Sequence, residues 1–119
     1  MNQRVKVIGI GNILCQDDGL GVKAIKMLKQ EVSEENILFV SGETDAWCCL
    51  EEALDADFVI IIDAAHGGEE PGSIYSVDLA ELVSDRCRLS CHDSGLLDLI
   101  YLYRLGDEKI NGVLLGMEP

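Results

Sequence analysis

The chain of 119 residues predicts an α/β fold, a three-layer α/β/α sandwich on a mainly parallel, twisted sheet. Three observations carry this. Phe58 to Asp63 is a continuous apolar, largely β-branched run ending in a carboxylate, the pattern of a strand buried on both faces. Short apolar runs alternate with segments of helical periodicity, as in parallel βαβ units. A glycine-rich stretch, Gly9 to Gly21, joins the first apolar run to the first helix.

The elements follow in order. Val5 to Ile10 is the first strand. Val22, Ile25, Leu28 and Val32 recur at helical spacing, with Lys23, Lys26, Lys29 and Gln30 on the other side, so Gly21 to about Val32 is an amphipathic helix whose apolar face covers a sheet. Ile37 to Val40 is a second strand. Ala46 to Leu54 is a second helix, expected to turn Trp47, Leu50 and Leu54 inward. After the central strand, Gly67-Gly68 and Pro71-Gly72 mark an irregular loop before a strand at Ser73 to Val77. Asp78 to Val83 is expected to make one or two helical turns. Leu96 to Leu105 is an apolar helix that Asp93 or Ser94 can cap, and Gly112 to Gly116 is a last buried strand. With neither an internal repeat nor a linker, residues 1–119 read as one domain.

Composition narrows the function. A formal charge of −13 argues against nucleic acid or an anionic membrane as partner, since both call for a basic footprint. No apolar run approaches spanning length, and no separate apolar segment with a cleavage site precedes the first strand, so the expected compartment is the cytoplasm. Five cysteines, an odd number, argue against a disulfide framework. Cys87-x3-Cys91-His92 invites zinc, but a second pair at structural-zinc spacing is missing, and reduced thiols are expected.

The glycine-rich loop is the first candidate site. Gly9-x-Gly11 begins like a dinucleotide fingerprint, but the third glycine would fall at Leu14, and the paired Asp17 and Asp18 would repel a phosphate. The loop therefore suits a cation. One of the two aspartates is expected to cap the helix. In open parallel sheets the functional crevice lies beyond the carboxyl ends of the strands. If strands one and three are neighbours, Asp17 or Asp18, Asp63 and His92 converge there. His66 reads as a surface loop residue. Two carboxylates and one imidazole suit a borderline divalent transition metal with open coordination positions.

These residues carry a resemblance. Gly9-Ile10-Gly11-Asn12-Ile13-Leu14-x-x-Asp17-Asp18-Gly19-x-Gly21, then Ile61-Ile62-Asp63-Ala64, then Ser90-x-His92-x-x-Gly95-Leu96 resemble the hydrogenase maturation endopeptidases. That family removes a C-terminal extension from the large subunit of nickel–iron hydrogenases after nickel insertion. The resemblance implies an α/β/α fold, a metal site made of Asp18, Asp63 and His92, nickel presented by the substrate, and a nickel-loaded large-subunit precursor as partner. Gly42-x-Thr44 is similar to a small turn of the family, with Glu43 where a second glycine is usual. Family members usually continue past the strand ending near Gly116, so the resemblance also implies a missing C-terminal helix and a partly bare sheet face or edge.

The implied chemistry is water attack on a metal-polarised peptide carbonyl, a carboxylate acting as base, with no covalent nucleophile. A cysteine-protease mechanism through Cys15 or Cys91 is the competing one. Cys91 and His92 are adjacent in sequence, so their side chains are expected to diverge. A non-catalytic nickel- or precursor-binding relative is a third reading. A receiver domain, with magnesium and a phosphoacceptor aspartate ending strand three, is a fourth. It needs a lysine at the end of the last strand, and Gly116-Met117-Glu118 supplies none, Lys109 lying before that strand.

Overall fold

The computed structural model describes residues 3–10, 19–42, 46–82, 90–91 and 110–119. Among them the order is β1 (Val5–Ile10), α1 (Leu20–Glu31), β2 (Ile37–Gly42), α2 (Ala46–Leu54), β3 (Phe58–His66), β4 (Ile74–Asp78), α3 (Leu79–Leu82), β5 (Ser90–Cys91) and β6 (Gly112–Met117). The sheet order is β2-β1-β3-β6-β4, with β5 paired to the end of β3. β1 runs parallel to both β2 and β3, and β3 parallel to β6, while β4 is antiparallel to β6. The mainly parallel sheet is therefore as expected, and strands one and three are neighbours, the condition for the candidate residues to converge. The predicted helix at Leu96 to Leu105 lies outside the described residues.

Strand alternation builds the layers, because successive side chains point to opposite faces. Ile8, Ile10, Val59, Ile61 and Leu114 form one apolar face, closed by Cys49, Leu50 and Ala53 of α2 and by Leu79. Val7 and Ile62 form the other, closed by Ile25 of α1 with Ala24 and Leu28 beside it. The central strand is thus buried on both sides. Full burial of an aliphatic side chain of this size contributes about 1.5–3 kcal/mol.

Two sequence expectations are corrected. Trp47 is 61% exposed and Leu54 39% exposed, whereas Cys49, Leu50 and Ala53 are buried. The inward face of α2 is therefore rotated toward Cys49 and Ala53, since small side chains let the helix approach the sheet while the indole stays outside. At α1 the N-cap is Gly19, without a side-chain cap hydrogen bond. Its carbonyl accepts the first helical bond, from the Lys23 N–H at 3.0 Å. No described carboxylate serves as cap; Asp17 and Asp18 lie outside the described residues.

The opposite, amino end of the sheet holds a charged clamp. Lys6 is 5% exposed, and its Nζ donates to Glu52 Oε2 at 2.6 Å and Asp55 Oδ2 at 3.0 Å. Burial alone would lower its pKa, but the hydrogen bonds and charges of Glu52 and Asp55 outweigh it, and the ammonium is held above its usual range. The clamp ties β1 to the C-terminal turn of α2, where a cation also favours the helix dipole.

Candidate active site

Asp63 lies in the interior of β3 and is 1% exposed. The sequence placed it as the last strand residue. Instead β3 continues through Ala64, Ala65 and His66, because Ala64 still pairs with Met117 of β6, and Ala65 and His66 pair with Cys91 and Ser90 of β5. Asp63 itself pairs with Gly116, and its Oδ1 accepts the Ala64 N–H at 2.8 Å. Burying a carboxylate in this position is costly without strong donors or a cation nearby.

Three described features meet at this level. β1 ends at Ile10, one residue beyond the Gly9–Ile62 pair, so the chain leaves β1 beside Asp63. It returns at Gly19 and Gly21, and Gly21 packs against the carbonyls of Ile10 and Ile62; a Cβ there would collide with both oxygens. A Cβ on Gly9 would likewise strike the Gly21 carbonyl and Ile25. The two glycines that bracket the motif are thus explained by close approach of helix and strand. The third feature is β5, antiparallel to β3: from Ser90 opposite His66 to Cys91 opposite Ala65, it heads toward Asp63.

Of the three metal ligands implied by the sequence, Asp63 is therefore placed. Asp18 and His92 lie outside the described residues, as do Cys15, Cys87, Glu43 and Thr44. Among the described residues, His, Cys, Asp and Glu form no group of three that could hold a metal ion. The donor set of two carboxylates and an imidazole is chemically suited to a nickel ion, and the one described donor sits at the carboxyl side of the sheet, where such a site belongs. Cys48 and Cys49 are in no disulfide. No helix among the described residues is long and apolar enough to cross a membrane.

The structure also shows residues that sequence reasoning passed over. Glu118, next to Pro119, is 7% exposed. Its Oε1 accepts from the Tyr75 hydroxyl at 2.7 Å, the Gly67 N–H at 2.9 Å and the Glu69 N–H at 3.1 Å. His66, half exposed at the end of β3, brings Nδ1 to 3.5 Å from Glu118 Oε2. The Tyr75 hydrogen bond, followed by the Gly67 N–H, holds the Glu118 carboxyl below its usual range against the opposing effect of burial. Burial, with the bond to Glu118, pushes the Tyr75 phenol up. The only sequence signal for this cluster was the glycine-rich loop at Gly67-Gly68 and Pro71-Gly72.

Comparison with known proteins bears on the fold and the family. The family model HycI, hydrogenase maturation protease, matches residues 22–119, starting just after the glycine-rich block. Hydrogenase expression/formation proteins HupD of Thiocapsa roseopersicina and Bradyrhizobium diazoefficiens are 29% and 30% identical, over 97% and 99% of this chain. Those alignments cover 54% and 64% of the two relatives, so the chain spans between half and two thirds of their length. Among solved structures, the hydrogenase maturating endopeptidase HybD from E. coli is similar with a TM-score of 0.76 at 27% identity, covering 98% of this chain and 74% of that one. The [NiFe] hydrogenase maturation protease HycI from Thermococcus kodakarensis gives 0.76 at 25% identity, again over 98% and 74%. The match over most of the chain displaces the receiver reading, and we conclude that this chain belongs to the hydrogenase maturation protease family.

Proposed function

We propose that the chain acts as a single cytoplasmic domain, an endopeptidase that removes the C-terminal extension of a nickel–iron hydrogenase large-subunit precursor once nickel has been inserted. The observation that carries this reading is Asp63, a carboxylate 1% exposed beside the exit of β1, the start of α1 and the end of β5. Family membership supplies the reaction class.

In this reading Asp18, Asp63 and His92 engage nickel borne by the substrate, and Asp63 is pre-oriented by its bond from the Ala64 N–H. Nickel, as part of the substrate, supplies Lewis-acid polarisation of the scissile carbonyl. The residues of this chain orient the extension, and a carboxylate takes a proton from the attacking water as the C–O bond forms. The proton then passes to the amine that leaves as the C–N bond breaks. No thiol is required.

The test is cleavage of nickel-loaded precursor by purified variants. Asp63→Asn, Asp18→Asn and His92→Ala should each lower the rate by about 100-fold or more, the scale of losing a group that works directly on the reacting atoms. Cys91→Ala should stay active. Activity lost with Cys91→Ala but kept with His92→Ala would establish the cysteine mechanism instead, and tight precursor binding without cleavage by the unaltered chain would establish a binding role. Calorimetric titration of the apo protein with nickel and with magnesium, repeated on His92→Ala, measures ion preference apart from turnover.

A further inference from the structure

Glu118 has no role in the chemistry above, yet its buried carboxylate is engaged on both oxygens. One oxygen accepts from the Gly67 and Glu69 N–H groups and the Tyr75 hydroxyl, and the other faces His66 Nδ1 at 3.5 Å. Its main chain is engaged too: the Glu118 N–H donates to the Ser73 carbonyl at 2.8 Å, and its carbonyl accepts the Gly72 N–H at 2.8 Å. Apart from Tyr75 on β4, these partners belong to the stretch 66–73 that leaves Asp63. Glycines make the closure possible. Gly68 and Gly72 have φ of 83° and 92°, and a Cβ on Gly67 would lie 2.5 Å from the Tyr75 ring. A Cβ on Gly116, the partner of Asp63, would lie 2.5 Å from that of Ala65.

β3 needs such support. β1 ends beside Asp63 and the last β6 pair is Ala64 with Met117, so beyond Ala64 the strand is laddered on one side only, to the two-residue β5 at Ala65 and His66. We propose that Glu118 is a positioning residue for Asp63. By tying the exit of β3 and the following turn to the end of β6, it fixes the peptide of Ala64, whose N–H donates to Asp63 Oδ1, and thereby the direction in which the carboxylate is presented. The inference rests on the reading of Asp63 as a site residue.

Four proteins test it: the unaltered chain, Glu118→Ala, Glu118→Gln and Tyr75→Phe, each held well below its melting temperature. Native-state hydrogen exchange and precursor cleavage are measured on all four. In Glu118→Ala the amides of Ala64 to Glu69 should exchange at least about tenfold faster, with Val7 and Ile8 unchanged. Its kcat should fall at least about tenfold while KM stays within about twofold, the pattern of a misoriented catalytic group. Glu118→Gln, which keeps an uncharged acceptor oxygen for these donors, should restore both to within about threefold. Tyr75→Phe, which removes one donor, should fall between. A Glu118→Ala protein that melts lower but keeps the exchange of Ala64 or the original kcat would overturn the inference. If that variant does not fold, Tyr75→Phe decides on the same two readouts. An unaltered chain that fails to cleave overturns the proposed activity instead, and exchange at Ala64 then decides the tie on its own.

Discussion

At the scale of single residues, two buried carboxylates are handled differently. Asp63 lies within a strand, with its described hydrogen bond coming from the next peptide, while Glu118 is ringed by donors from 43 to 51 residues away along the chain. The Glu118 pKa is lowered on folding, so its contribution to stability is present above the ordinary value near 4.5. It is lost as pH falls through the lowered folded value, because the proton then binds the unfolded chain more readily. The expected outcome is that the denaturant midpoint of the unaltered chain drops more steeply on acidification below that ordinary value than the midpoint of Glu118→Gln. A chevron or equilibrium urea series at several acidic pH values measures this. Parallel curves would show that the carboxylate charge has no part in the stability of the turn.

At the scale of elements, the contact between α1 and the sheet is set by backbone rather than by side chains. Gly21 lies against the Ile10 and Ile62 carbonyls, and Gly9 against the Gly21 carbonyl. A methyl group at position 21 therefore meets backbone that cannot rotate away, and α1 has to withdraw from the very end of the sheet that carries Asp63. Gly21→Ala should cost about 1–3 kcal/mol or more, the range for overpacking, even though alanine is the better helix former. Urea unfolding with an unchanged m value checks it. The helix periodicities were legible in sequence, and β1 and α2 have the predicted bounds. The inward face of α2 was not legible, because Trp47, Leu50 and Leu54 share a helical spacing as good as that of Cys49, Leu50 and Ala53. Only the distance of the helix from the sheet selects between them.

For the molecule as a whole, the sheet divides the core into two clusters, one under α2 and α3 and one under α1. Ile61 belongs to the first and Ile25 to the second, and each is at most 1% exposed. Ile61→Val and Ile25→Val should each cost about 0.5–1.5 kcal/mol, as single buried methylene deletions do. Because the substitutions lie on opposite faces of the sheet, the double variant should equal their sum to within about 0.5 kcal/mol. A coupling well beyond that, read from a double-mutant cycle in urea, would mean that the two faces pack as one unit.

The sequence alone determined the class of fold and the kind of each described element except β5, since periodicity, β-branched runs and glycine pairs are local signals that survive without tertiary context. It also singled out Asp63, because a carboxylate closing a hydrocarbon run is conspicuous at any scale. Only the tertiary structure decided that β3 runs on past Asp63, that Lys6 is a buried ammonium clamped by Glu52 and Asp55, and that Glu118 closes the turn beyond the candidate site. The reason is the same in each case. These outcomes depend on partners from 43 to 51 residues apart or on strand pairing between β3 and β5, and a charged residue in isolation carries no mark of which distant donor or acceptor will make its burial tolerable.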